Sequence, residues 1–289
     1  MPISYDLIKE ETARMYARSL RRIPDDAKHA LTRAKETETN PVALNTLDIM
    51  LTSAKAAEER NHFICSDNGI PVYSVKIGTR VQFSGDFKRA IRDGFSELTR
   101  NIDPPMLKHV TNPLTNERSY EGKDVPIVTF DLIDGADYVD IVCSPKALGS
   151  GRWAALDIFT FPSLDEIEQY VMDVVLRAGS QACPPLIVGV GIGGTFDYAT
   201  KMAKEAIIRP IGETNPEPIL EDMESRLLTA INKTGFGPMG TGGATTAMAV
   251  HINYASGHGF TPVAVCFNCW IDRRTRIRIM NDGTVDCVE

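Results

Sequence analysis

At 289 residues, with 43% hydrophobic and 24% charged side chains, the chain is long enough to bury one large core or two modest ones. Its net charge of −7 argues against a general nucleic-acid binder, because neutralising phosphates needs a clustered surplus of cations. Charges within MPISYDLIKEE and the lack of an apolar run of spanning length argue against a signal peptide or membrane span, so a cytoplasmic protein is expected.

In chain order, the first sixty residues are helical in pattern. Tyr5 to Leu20 carries Ile8, Met15 and Leu20 among charged residues, and Pro41 to Glu59 repeats the amphipathic spacing after a polar break at Glu36 to Asn40. Ser66-Asp67-Asn68-Gly69 is turn chemistry directly after Cys65, and residues 70–77 read as a strand. A helix is predicted over 84–102, then a Pro-broken segment from Asp103 to Asn116. VPIVTFDLIDGADYVDIVCS predicts a hairpin about Asp134-Gly135, and SPKALGSGRW places a lysine and small residues where its second strand ends. Ser163 and Glu166 have capping-box spacing at the head of a helix over 163–178.

From Ala182 to Asp197, ACPPLIVGVGIGGTFD reads as a cysteine, a Pro-Pro stop, a buried strand, a bare loop with Gly189, Gly191, Gly193 and Gly194, and then a helix. Helices over 197–208 and 219–233 lead to a glycine-rich segment between Gly235 and Gly243. FTPVAVCFNCW is a strand that delivers Cys266 and Cys269, and the tail from Arg276 to Val288 predicts a hairpin about Asn281-Asp282-Gly283. No repeat or linker interrupts the chain. The expected fold is α+β, a single intertwined domain over 1–289 with a helical segment at 1–60 packed on mixed β-sheet.

A glycine loop that opens a helix offers backbone N–H groups to an anion. GVGIGG lacks the full G-x-G-x-x-G register and the acidic residue some twenty positions on, so a tight turn without ligand stands beside a nucleotide site. If the ligand is acidic, its positive partners must be local, with Lys146, Arg152 and the Arg273-Arg274 pair as candidates. Six cysteines in a chain this long do not resemble a disulfide framework, and reduced thiols or metal ligands are the better reading. Cys65, Cys183 and Cys269 each stand at an element end beside a turn or glycine-rich segment. Their separations of 118 and 86 residues fit no compact zinc or ferredoxin motif, so a shared site has to be assembled by folding. Three thiolates on an iron–sulfur cube would leave one iron open as a Lewis acid, which composition and spacing alone do not establish.

Plain structural readings compete at each position. Cys143 and Cys287 lie in strand-like runs and read as packed core thiols. Cys266 and Cys269 form a Cys-x-x-Cys pair, but no helix N-terminus follows to make it a redox dithiol. Asp67 alone reads as an Asx-turn former, His258 as a solvated loop residue, His251 as structural, and Arg273-Arg274 as either a solvated pair or an anion clamp.

The segments CSDNG, SPKALGSG, CPPLIVGVGIGG, GFGPMGTGGATTAMAVHI and VAVCFNCWIDRR, in this order over nearly the whole chain, resemble the alpha subunit of class I fumarate hydratases and L(+)-tartrate dehydratases. The resemblance implies a [4Fe–4S] hydro-lyase that adds or removes water on a small dicarboxylate. It further implies a separate beta subunit that supplies substrate-binding arginines and the catalytic base, a homodimer of alpha within a hetero-oligomer, and a chain inactive alone. Carried over by position, Cys65, Cys183 and Cys269 match the cluster ligands, and Asp67 and His258 the catalytic polar residues. Ser66, Lys108, Lys146, Gly149 and Arg273 are the candidate substrate contacts.

The departures from the family pattern cluster around the substrate. Ser66 and Asn68 stand where glutamine and threonine are usual, P-K-G-G-G-S is Pro145-Lys146-Ala147-Leu148-Gly149-Ser150, and Ala244 replaces a lysine. The L-R-P-N segment is replaced near Met106 to His109, where Lys108 could act as a point charge in place of arginine. These changes point away from fumarate and towards tartrate or an alkyl-substituted malate. A nucleotide-binding module using GVGIGG and a cluster-free structural or regulatory subunit remain as alternatives.

Overall fold

The computed structural model describes residues 2–288. They form β1 (Ile3–Ser4), α1 (Tyr5–Ser19), α2 (Asp25–Thr37), α3 (Pro41–Glu59), β2 (Val72–Gly78), β3 (Phe83–Ser84), α4 (Phe87–Asn101), β4 (Val110–Thr111), β5 (Arg118–Ser119), β6 (Ile127–Ile133) and β7 (Tyr138–Cys143). The chain continues through α5 (Leu148–Gly151), β8 (Ala155–Thr160), α6 (Leu164–Ala178), β9 (Leu186–Gly193), α7 (Phe196–Ala206), α8 (Pro218–Lys233), β10 (Ala247–Ala255), β11 (Phe260–Asn268), β12 (Thr275–Met280) and β13 (Val285–Cys287). The fold is α+β and intertwined. Residues 2–24, 54–147 and 273–288 make one compact unit, and residues 25–53 and 148–272 a second.

The first unit is a five-stranded mixed sheet of order β13-β12-β7-β2-β6, packed against α1 and α4. Strand β12 shows why the sheet is one-sided: Thr275, Ile277 and Ile279 are buried, and the alternate Arg276 and Arg278 bond to Asp140 on β7. Tyr73, Val75, Val139 and Ile141 meet Ile8, Met15, Ile91 and Phe95 in the core. The expected hairpin at 125–144 does not form. Strand β2 lies between β6 and β7, parallel to the first and antiparallel to the second. The Asp134-Gly135 connection instead crosses the end of β2, where Arg80 N–H donates to Ala136 O at 2.9 Å. Gly78 permits this crossing, since a Cβ there would stand 2.4 Å from Ala136 O. The tail hairpin of β12 and β13 does form.

The second unit is a sheet of order β10-β9-β11-β8 with helices on both faces. Strand β9 is covered on both sides, which is why its sequence is a continuous apolar run. Its period of two sends Leu186, Val188 and Val190 towards α6 and α8, and Ile187 with the two intervening glycines towards α7. The capping box predicted at Ser163 and Glu166 opens α6. Among the described residues no helix is long and apolar enough to cross a membrane.

Candidate functional site

In the first unit the candidate residues gather at the turn that carries Cys65. Asp67 Oδ1 accepts the Gly69 N–H at 3.1 Å, the Asx-turn expected from the sequence. The turn is clamped from two sides. Ile70 and Lys146 exchange backbone hydrogen bonds of 3.0 and 2.9 Å, and the Tyr16 hydroxyl donates to Gly69 O at 2.7 Å. Burial pushes the Tyr16 hydroxyl well above the usual tyrosine range, so it stays protonated and remains a donor. A side chain at position 69 would meet the Lys146 backbone at 2.7 Å, so the CSDNG and SPK segments can lie together only with glycine there.

Arg273 is 5% exposed and donates through one terminal nitrogen to Asp67 O at 2.7 Å, while its buried Nε has no partner. No ion pair joins it to a carboxylate among the described residues. A buried guanidinium so placed suits an incoming anion, because an uncompensated buried charge is costly. Arg274 is half-buried and partnered within the chain. Lys146 is half-buried and Ser66 exposed.

The side chain that reaches this turn from the Pro-broken segment is His109, not Lys108. His109 Nε2 lies 3.2 Å from both the backbone nitrogen and Oδ1 of the buried Asn68, and His109 Nδ1 is 3.8 Å from Asp67 Oδ1. Lys108 is exposed, with its ammonium 5.7 Å from the centre of the Tyr120 ring. Sequence reasoning passed over His109 because an irregular segment has no periodicity to show which neighbour points inward.

In the second unit Cys183 and Cys269 stand at one end of the sheet, before β9 and after β11, and the Trp270 N–H donates to Cys183 O at 3.1 Å. Cys183 holds a left-handed backbone, φ 60, which costs a non-glycine residue about 1 kcal/mol. A Cβ on Gly149 would come within 3.3 Å of Cys183 Sγ, so the small residue leaves room at the sulfur. Its neighbour Leu148, one of the departures from the family pattern, is 71% exposed. The turn after Cys269 is fixed by Asp272 N–H to Cys269 O at 2.9 Å and by Asn268 Nδ2 to Asp272 Oδ1 at 2.9 Å.

The Cys183 turn is also held by the glycine-rich segment, whose Met239 N–H donates to Pro184 O at 2.8 Å. That segment is pinned by the buried Glu38, which accepts the N–H groups of Thr39, Asn40 and Ala244. Burial opposes ionisation of Glu38, but the three donors outweigh it and hold the carboxyl below the usual glutamate range. Nothing in the sequence pairs Glu38 with Ala244.

Two sequence expectations change here. The glycines of GVGIGG do not form a bare loop, since β9 runs through Gly193. Gly189 and Gly191 face α7, and a Cβ at Gly191 would stand 2.1 Å from Ala199 O, so these glycines serve close helix packing rather than a phosphate. Cys183 lies at the opposite end of β9 from Gly193 and Gly194. His258, in turn, precedes β11 while Cys269 follows it, which separates them by about 35 Å of extended chain. It lies in an open cleft with Thr195, Asp197, Tyr198 and Phe260, away from Cys183 and Cys269 within this unit.

None of the six cysteines is in a disulfide. Cys65, Cys183 and Cys269 are half-buried, as accessible ligands should be, whereas Cys143 and Cys266 are buried. Burial pushes the Cys143 thiol up to about 12. Cys287 is exposed on β13 at the sheet edge, not in the core as its strand-like surroundings suggested. Among the described residues no group of three or more His, Cys, Asp or Glu side chains is gathered closely enough to hold a metal ion. Cys183 and Cys269 stand at the same end of one sheet and carry the donor type that an iron–sulfur group takes.

A family model described as fumarate hydratase (Fumerase) matches residues 9–278. A Methanocaldococcus jannaschii protein, provisionally named L(+)-tartrate dehydratase subunit alpha, is 36% identical over 269 residues, covering 90% of this chain and 93% of its own length. The L(+)-tartrate dehydratase subunit alpha of Escherichia coli K12 is 30% identical over 273 residues, covering 92% of this chain and 88% of its own. The protein of the same name from Shigella sonnei gives the same figures.

Proposed function

Because this chain belongs to the fumarate hydratase (Fumerase) family of hydro-lyases, we propose that it is the alpha subunit of an iron–sulfur dehydratase acting on a 2-hydroxy dicarboxylic acid, tartrate or a substituted malate rather than fumarate. The observation that carries this reading is the buried guanidinium of Arg273 beside the Asp67 turn. In this reading Arg273 and Lys146 bind substrate carboxylates, Ser66 and the space at Gly149 shape the pocket, and Asp67 holds or moves a proton of the substrate. Elimination of water also requires the hydroxyl to leave. Cys65, Cys183 and Cys269 would hold a [4Fe–4S] cluster, which when bound supplies a Lewis-acidic iron for that hydroxyl.

The substrate assignment rests on the exchanges at Ser66, Asn68 and His109 and on the names carried by the relatives. A separate beta subunit and a homodimer of alpha complete the proposal. The test is anaerobic reconstitution with the beta partner, followed by rates on L(+)-tartrate, alkyl-substituted malates, malate and fumarate. The expected result is an enzyme that prefers a substituted diacid. Equal turnover of fumarate would refute the substrate assignment, and a preparation that binds no iron would refute the cluster.

A further inference from the structure

We propose that His109 is a positioning residue for Asp67, held as the neutral tautomer with its proton on Nδ1; the inference rests on the function proposed above and names a further member of that site. Its segment is fixed on both sides, since Met106 and Val110 are 6% and 7% exposed. Between them the imidazole has three polar neighbours, and Asn68 Oδ1, 3.2 Å from Nε2, is an acceptor. Nε2 lies 3.2 Å from the Asn68 nitrogen, with the N–H directed at it, and Nδ1 faces Asp67 Oδ1 at 3.8 Å.

The Asn68 N–H can only donate and is directed at Nε2, so a bare Nε2 satisfies it at the cost of setting that lone pair beside Asn68 Oδ1. The proton of a neutral ring then sits on Nδ1 and points to the carboxylate. The reverse tautomer would donate to Asn68 Oδ1, but it points its N–H at that of Asn68 and turns an Nδ1 lone pair towards a carboxylate oxygen, two unfavourable contacts against one. Asp67 Oδ1 already accepts the Gly69 N–H at 3.1 Å. A second donor facing the same oxygen fixes the rotation of the carboxyl group about its Cβ–Cγ bond. The 3.8 Å separation is too long for a made hydrogen bond, and such contacts often close only when substrate is present.

Two isosteres separate this role from mere packing. In His109→Asn the side-chain amide can present a donor at the δ position, whereas His109→Gln keeps an acceptor at the ε position for Asn68. On the reconstituted holoenzyme with L(+)-tartrate, His109→Gln should lose about 10-fold or more in kcat with KM changed less than about 3-fold. His109→Asn should stay within about 3-fold of the parent. Independently, long-range proton–nitrogen NMR on the full chain at about pH 8.5, where an ordinary imidazole is neutral, reads the tautomer without turnover. The expected spectrum has a protonated Nδ1 and a bare Nε2, with the preference weakened in Asp67→Ala. An Nε2-protonated ring, or a Gln variant that matches the parent while the Asn variant fails, overturns the proposal. Loss of all turnover in the parent would refute the assigned function, and the tautomer would still decide the contact between His109 and Asp67.

Discussion

In the first unit the residues around Cys65 are polar and charged: Asp67, Lys146 and a buried Arg273 lie at one turn, with the His109 imidazole against it. In the second unit Cys183 and Cys269 are placed by backbone hydrogen bonds, by the small Gly149 and by glycines that let helices approach. The first unit holds the charged side chains together with Cys65, and the second holds Cys183 and Cys269. The Asp67 turn is clamped through backbone atoms, so its side chains, Ser66 and Asn68 among them, can change while the clamp persists. In the second unit the approach of Gly149 to Cys183 and of β9 to α7 depends on steric fit that admits few exchanges.

The comparison breaks if substitutions in the first unit damage folding or those in the second damage only substrate handling. The largest effect is expected for Asp67→Asn, with kcat reduced about 10²- to 10⁴-fold and iron content unchanged, measured on the reconstituted complex. Arg273→Lys should raise KM for L(+)-tartrate about 10-fold or more, because an ammonium cannot reproduce the forked donors of the guanidinium. In the second unit Gly191→Ala should cost about 3 kcal/mol in denaturant unfolding, since the added methyl meets the Ala199 carbonyl and α7 must shift. Glu38→Gln should cost about 1 kcal/mol near neutral pH. The folded Glu38 carboxyl titrates below its ordinary 4.5, so its contribution is present above that value and is lost as pH falls through the folded value. The Gln variant should lack this part of the acid sensitivity in unfolding scans.

Much of this architecture was legible from local patterns. Helix α3 was bounded at Pro41 and Glu59, and the cap at Ser163 and the tail hairpin were placed correctly. These features depend on residues within a turn or two of one another. The pairing of β6 with β2 was not legible, because Asp134-Gly135 carries an ordinary hairpin signal and only the close approach at Gly78 favours the crossing. The glycines of β9 were misplaced for a related reason: alternation of valine with glycine marks a strand beneath a close helix, yet the same letters describe a loop. The Asp67 turn was visible as chemistry. His109, Glu38 and the isolation of His258 from Cys269 depend on contacts and distances that only the folded chain defines.

The central claim is that three particular sulfurs bind the cluster, and iron content of the six single Cys→Ala variants after anaerobic reconstitution tests it most directly. The account predicts about four irons per chain in the parent and in the variants at 143, 266 and 287, with a marked loss at 65, 183 and 269. Full iron in the Cys183→Ala or Cys65→Ala variant would contradict it.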